Sequence, residues 1–299
     1  MDQIKSQRND NLKILAMITM LIDHLGHMRL LPEAWYTVSR TIGRIAFPIF
    51  AYQIAVGFDK TSSRKRYAVR LLVFALIAQV PYTWFNPQLE KQLLHFNILF
   101  LLLAGVGVLQ LYENAKASWH RYGTTRQKSQ ILIAGSYGIL TLLAIALPEV
   151  IDIYLLKRGI EFSFEYSSYG LAMILFFHCF RHSSWKTAVS YGILSMLGVL
   201  LTTLWVAVKY GQQITGSEVL YVDALRNWDL LKSIMTRNQV HLSLQGVWFQ
   251  VRSLLAIPCI FLLEAYRGKI QIHLPRAVGY WFYPAHIALL VLWKYFLGL

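Results

Sequence analysis

The residues best suited to chemistry are ionisable side chains set inside apolar runs. Asp23, His24 and His27 stand in Leu12–Leu31, Arg40 and Arg44 in Tyr36–Phe58, and His286 in Ala277–Leu297. An ionisable group in hydrocarbon is costly, and it marks a functional or tightly paired position. Histidine takes and returns a proton near neutral pH, so His24 is a candidate general base. The adjacent Asp23 is expected to orient it, to stabilise the imidazolium, or to hold another group. Arg44, in Gly43-Arg44-Ile45-Ala46-Phe47-Pro48, needs an anionic partner. That partner is Asp23 in a structural ion pair, a ligand anion, or a developing oxyanion. Arg40 lies nearer the outer end and can snorkel. His286 is a second candidate acid/base, or else a satisfied core histidine. His24 and His27 share a face at i,i+3, but no clear third ligand accompanies them, so no metal is expected.

Depth links these positions. At about 1.5 Å per residue, His24 and Arg44 reach similar levels of a hydrocarbon core about 30 Å thick. Gln79, Asn97, Gln250 and His286 fall between the middle and the outer half. Taken singly, Gln79, Asn97 and Gln250 read as interhelical hydrogen-bond formers. Taken together with His24, Arg44 and His286, they predict one polar cavity open or nearly open to the outer side. A second feature is the dense run Lys60, Arg64, Lys65, Arg66 and Arg70. Plain topology with attraction to anionic lipid explains it. So does docking of a phosphate-bearing cytosolic cofactor, since Arg and Lys suit phosphate oxygens.

The elements that must carry these groups are membrane helices. The chain has 299 residues, 56% of them apolar and 15% charged. A soluble domain sits near ~45–50% and ~25%, so the composition argues against a soluble protein and leaves no room for a large disordered part. The composition predicts an all-α, polytopic transmembrane bundle forming a single domain of about nine spans. These are Leu12–Leu31, Tyr36–Phe58, Tyr67–Phe85, Leu94–Tyr112, Gln130–Leu147, Ser167–Phe180, Thr187–Tyr210, Leu242–Tyr266 and Ala277–Leu297. Glu149–Leu156 reads as a re-entrant or interfacial piece. The first apolar run reads as a retained membrane helix. With the N-terminus inside, the basic segments near Lys5–Lys13, Lys60–Arg70, Lys116–Lys128, Arg181–Lys186 and Arg267–Arg276 all fall inside, as the positive-inside rule asks. The C-terminus is then outside, and the long loop 211–241 is an outer insertion. The net charge of +14 reads as topology and not as a nucleic-acid footprint. Cys179 and Cys259 form neither a disulfide framework nor a metal pattern. Phosphate-loop, dinucleotide-turn, HExxH and GxSxG motifs are missing.

Several segments resemble the TraX family. They are Leu12-Lys13-Ile14-Leu15-Ala16-Met17-Ile18-Thr19-Met20-Leu21-Ile22-Asp23-His24, then Ile42–Ala51 with Gly57-Phe58, then Tyr67–Leu72 and Gln79-Val80-Pro81-Tyr82. Phe96-Asn97-Ile98-Leu99-Phe100 is similar to the family's Asn-led fourth helix. Glu165-Tyr166-Ser167-Ser168-Tyr169-Gly170 resembles its Asp-Tyr-Gly-x-Tyr-Gly element, with Glu for Asp and Ser for Gly. Gln250 precedes Ala256-Ile257-Pro258 at the family's spacing. Trp281-Phe282-Tyr283-Pro284-Ala285-His286 resembles its ending.

The resemblance implies a bacterial inner-membrane, multi-pass acyltransferase using acetyl-CoA or another acyl-CoA. Its acceptor would be an amine or hydroxyl of a pilin, peptide or glycan. His24 would be the base, with Asp23, Arg44 and His286 as its catalytic companions. Asn97, Gln250, Gln79, Glu165 and Tyr169 would bind substrate, and Lys60, Arg64, Lys65, Arg66 and Arg70 would receive the cofactor's phosphates. The rival from another class is a proton-coupled transporter or permease with the same central cavity. Inverted repeats would favour it, and the sequence displays none. A non-catalytic assembly factor is a third reading.

Overall fold

A computed structural model of the chain describes residues 9–85, 94–156, 158, 160, 162–215, 229, 252–265 and 272–298. Helices dominate it: α1 Asp10–His27, α2 Tyr36–Gly43, α3 Ala46–Lys60, α4 Arg64–Phe85, α5 Ile98–Thr125, α6 Lys128–Leu156, α7 Ser167–Phe180, α8 Ser184–Thr215, α9 Ala256–Ala265 and α10 Arg276–Phe296. A short 3-10 turn, Glu33–Trp35, leads into α2. Two three-residue strands, β1 Leu94–Phe96 and β2 Phe162–Phe164, pair in parallel with Leu94 opposite Phe162 and Phe96 opposite Phe164. Among the described residues, the expected all-α bundle therefore carries a small two-stranded sheet.

Among the described residues, four helical segments are long and apolar enough to cross a membrane: Glu33–Lys60, Arg64–Phe85, Ile98–Thr125 and Lys128–Leu155. The chain is a membrane protein on that composition. The α6 helix shows what it meets outside. Leu132 is 74% exposed and Leu142 68%, an apolar face that suits hydrocarbon and not water. Beyond Leu147, Glu149–Leu156 continues α6 instead of forming a re-entrant piece. Most of the expected outer loop and the start of the eighth span lie outside the described residues.

The ends of α1 show how sequence sets an element. Asn9 caps it, its side chain accepting from the Leu12 amide at 3.3 Å, so an otherwise orphaned N–H is satisfied. Leu12 and Ala16 then bury one stripe. At the other end Arg29 turns left-handed at φ 56°, and the Leu30 amide closes back on Leu25 at 3.0 Å. That is a Schellman-type stop.

The second expected span is not one rod. Its helix ends at Gly43 and restarts at Ala46. Pro48 explains the break: it has no N–H to offer the Arg44 carbonyl, and its ring crowds the position four residues back. Irregular backbone at membrane depth survives where it lines a cavity or is packed in protein. Both halves pack on α1. Gly26 faces the Ser39 side chain and Gly43 faces the Asp23 side chain so closely that a Cβ at either glycine would overlap its neighbour. The main core gathers α1, α3, α5 and α7 around Leu12, Ile49, Phe58, Leu101, Ile174 and Phe177. The helix α10 packs along α4 and α1, around a second core of Ala78, Tyr82, Ile287 and Leu290.

Candidate active site

One large cavity, about 1210 Å³, runs between α1, α3, α4 and α10. Toward one end it is lined by Lys13, Lys60, Ser63, Arg66, Arg70 and Arg276; elsewhere by Asp23, His24, His27, Arg40, Arg44 and Glu165. Lys13 and Asp23 share α1, ten residues apart, so the two groups are about 15 Å apart along its axis. The volume exceeds the roughly 300–1,000 Å³ of a single small-ligand pocket.

Neighbours in sequence diverge at the polar end. Asp23 and His24 are successive residues on α1, so their side chains leave the helix about 100° apart. Asp23 faces α2, where its Oδ2 meets the Arg40 guanidinium at 2.8 Å, both side chains being 18% exposed. His24 faces α10, where its Nδ1 lies 2.8 Å from Nε2 of His286. Their rings are nearly parallel, at 7°. His286 is 6% exposed, and its own Nδ1 donates to the Phe282 carbonyl at 2.6 Å. Phe85 packs on both His24 and His27. Of the roles expected for Asp23, holding another group is the one met: Asp23 pairs with Arg40, and His24 pairs with His286. Arg40 turns inward instead of snorkelling. It lies four residues from Arg44, on the same helical side, which is the signal that marks it in the sequence.

Arg44 projects from the break between α2 and α3, within electrostatic reach of Asp23, Glu165 and Tyr166. The start of α3 also lines the cavity through Ala46 and Phe47, and a helix N-terminus favours negative charge. Glu165 comes from the β2–α7 turn and accepts from the Tyr82 hydroxyl at 2.8 Å. Two carboxylates thus oppose two guanidinium groups around the two histidines. The turn is unusual: Tyr166 and Ser167 both hold left-handed backbone, φ 57° and 43°. Ser167 stands where the resembling motif has Gly, the residue that adopts such a φ without steric cost. Tyr166 stacks on Phe47 at 3.8 Å, tying the turn to α3.

Other predicted residues serve the frame. Asn97 is fully buried; its side chain caps α5 at the Leu99 amide (3.0 Å) and donates to the Ala75 carbonyl (2.8 Å) and to Gln79 (2.9 Å). Gln79 donates to the His95 carbonyl at 2.6 Å. Together they pin β1 and the start of α5 to α4, and β1 in turn holds β2 and Glu165. Neither is among the cavity-lining residues. Tyr169 lies beside Ser195 at 3.2 Å, also off the cavity. Gln250 lies outside the described residues.

The basic run divides. Lys60, Arg66 and Arg70 line the cavity. Arg64 instead covers the Phe58 ring at 4.2 Å and donates to Gln110 at 2.9 Å, and Lys65 is not in the lining. Lys13 and Arg276 join from α1 and α10, with Lys13 5.3 Å from the centre of the Tyr280 ring. Glu264 is also there, accepting from Asn9 at 3.1 Å. Among the described residues no group of three or more His, Cys, Asp and Glu is placed to hold a metal ion.

Comparison with known proteins supplies relatives. The chain is 36% identical over 122 residues to an uncharacterised protein of Rickettsia prowazekii (strain Madrid E), covering 40% of this chain and 44% of that one. It is 32% identical over 108 residues to the probable fimbrial assembly protein FimC, serogroup H1, of Dichelobacter nodosus, covering 33% of this chain and 44% of that one. The matches thus span less than half the length of these curated relatives. No solved structure matches. The profile of the TraX protein family matches residues 8–294, nearly the whole chain, and the chain belongs to that family.

Proposed function

We propose that this protein is a multi-pass acyltransferase of the bacterial cytoplasmic membrane, transferring an acetyl group from acetyl-CoA to an amine or hydroxyl. The observation that carries the reading is one cavity with unlike ends. Lys13, Lys60, Arg66, Arg70 and Arg276 offer cations and donors at one end, as the phosphates of a coenzyme require. Asp23, His24, Arg40, Arg44 and Glu165 lie about 15 Å further along, as a thioester carried on a long arm requires. The size of the cavity leaves room for donor and acceptor together.

In this reading the acceptor, as a neutral amine or a hydroxyl, attacks the thioester carbon. His24 takes its proton. Arg44 stabilises the negative charge that develops on the thioester oxygen. Asp23, held by Arg40, keeps the site near neutrality, and Glu165 positions the acceptor. The carbon–sulfur bond then breaks, the thiolate of coenzyme A recovers the proton from His24, and the acetylated acceptor leaves. Nine spans with the N-terminus inside and the C-terminus outside would set the basic end of the cavity on the cytosolic side, where acyl-CoA is found. The likeness to a probable fimbrial assembly protein supports a pilus-related acceptor such as a pilin. Peptides and glycans carry the same nucleophiles.

The test is incubation of purified protein with labelled acetyl-CoA and candidate acceptors. Transfer or thioester hydrolysis that disappears in His24→Ala supports the reading. Neither binding nor turnover with any acyl-CoA sinks it, and proton-coupled uptake into vesicles would then favour the transporter. For topology, a reporter fused after Leu299 should be active outside.

A further inference from the structure

We propose that His286 is the positioning residue for His24. In this assignment it fixes the proton of His24 on Nδ1, so that Nε2 is the basic nitrogen available to the cavity. The inference rests on the acyltransferase reading for its catalytic meaning but not for its geometry.

The argument follows the hydrogen-bond chain from its far end. A carbonyl oxygen only accepts. The 2.6 Å contact between His286 Nδ1 and the Phe282 carbonyl therefore puts the His286 proton on Nδ1. In neutral imidazole the other nitrogen is then a bare acceptor. His286 Nε2 sits 2.8 Å from His24 Nδ1, so His24 must donate there, and its remaining nitrogen, Nε2, carries the lone pair. A single backbone carbonyl thus sets the tautomer of two rings in series.

The chain is rigidly held. Phe282 stacks on the His286 ring at 4.5 Å and Tyr283 meets it edge-on at 5.8 Å. Phe85 packs on His24 at 4.9 Å. The two rings are almost parallel, so neither can swing without losing the bond between them. Asp23, the acidic neighbour that sequence alone would choose for this task, is committed to Arg40 at 2.8 Å. His286 thus does for His24 what a carboxylate does in other base–orienter pairs. When His24 takes a second proton, the same bond receives the donor it already has, and no rearrangement is needed.

The test combines spectroscopy with kinetics on the full-length protein in lipid bilayers. Histidine labelled with 15N distinguishes Nδ1–H from Nε2–H by chemical shift. His24→Ala and His286→Phe difference spectra assign the two signals. Both rings are expected as Nδ1–H tautomers in the resting wild type. In His286→Phe, which keeps an aromatic ring but no acceptor, the His24 signal is expected to shift toward Nε2–H. The kcat should fall about 10²-fold, with KM for acetyl-CoA within a factor of about two. His286→Gln, whose side-chain oxygen can accept from His24, should recover most of the lost kcat. A merely structural His286 would move KM and thermal stability and would show no such rescue. An Nε2–H resting tautomer of His24, or an unchanged kcat in His286→Phe, overturns the proposal. If the tautomers are as stated but no acyl-CoA turns over, the relay stands and the acyltransferase reading falls.

Discussion

Two polar clusters inside this protein use nearly the same side chains to opposite ends. One lies at the cavity: Asp23, His24, Arg40, Arg44 and Glu165 line it, and His286 bonds to His24 from outside the lining. The other joins α3, α5 and α7 near the Lys60 end: Asp59, Glu113, Lys116, His178 and Arg181. In the second, His178 Nε2 meets Glu113 at 2.8 Å and its Nδ1 lies 3.8 Å from Asp59. Arg181 pairs with Asp59 and donates to the His178 carbonyl. The ring of His178 is only 3% exposed, with Phe58 and Tyr112 edge-on to it. It is a closed knot, and none of its members lines the cavity. The comparison teaches that residue type does not make a site. A histidine walled in by protein, with one carboxylate hydrogen-bonded at 2.8 Å and a second 3.8 Å away, is a strut. A histidine held at one nitrogen, with the other left for a cavity, is equipped as a base.

Removing each histidine tests that contrast most severely. His24→Ala should reduce acyl transfer by about 10²–10⁴-fold, the usual contribution of a positioned base. His178→Ala should leave kcat within a factor of about three. Steady-state rates with labelled acetyl-CoA check both. Equal losses in the two variants would erase the distinction between site and strut.

Arginine offers the next largest effect. Arg44→Ala should lower kcat by about 10²–10³-fold, the cost of losing one donor to a developing oxyanion, while KM for acetyl-CoA changes little. Arg181→Ala, which breaks the pair with Asp59, should leave kcat near that of the wild type. If Arg44→Ala raised KM and spared kcat, Arg44 would be holding a ligand anion in the ground state instead.

How much of this contrast the residues announce depends on what periodicity carries. The apolar runs locate most of the helices, because length and hydropathy are properties of a segment. Depth along a helix is also countable, and it marks Asp23, His24 and Arg44. Rotation about the helix axis is harder. Gln79 and Asn97 sit at the expected depth, yet their side chains join α4 to β1 and α5. Depth alone cannot say which way a side chain points. The break at Arg44 was latent in Gly43 and Pro48, but an apolar run hides it, because Pro in a helix's first turn is also tolerated. The two strands are too short and too apolar to separate from the helices they adjoin. His24 and His286 stand 262 positions apart, and no spacing rule connects them.

A smaller effect is expected at the basic end. Lys60, Arg66 and Arg70 line the cavity, whereas Arg64 lies over Phe58. Changing any one of the three to Ala should raise KM for acetyl-CoA several-fold, with kcat preserved. The effect should weaken as salt screens the charges. Acetyl-pantetheine, which lacks the nucleotide phosphates, should show little response to the same changes. Arg64→Ala should be nearly silent with either donor, so the four substitutions divide the run by geometry and not by charge.

The smallest kinetic effect, and the one that sharpens the closed knot, belongs to Glu113→Gln. The carboxylate becomes a neutral amide that can still accept from His178, so the hydrogen bond survives, while its charge assistance and the 3.6 Å ion pair with Lys116 are lost. That difference is about 0.5–1.5 kcal/mol. Glu113→Ala removes the acceptor and leaves a buried ring nitrogen without its partner, which costs about 1–3 kcal/mol. Thermal unfolding in detergent should therefore rank wild type above the Gln variant and the Gln variant above the Ala variant. Turnover per folded molecule should be the same in all three. Were turnover to fall in step with stability, the knot would be coupled to the cavity through α3. That helix carries Asp59 near one end and begins, at the other, beside Arg44.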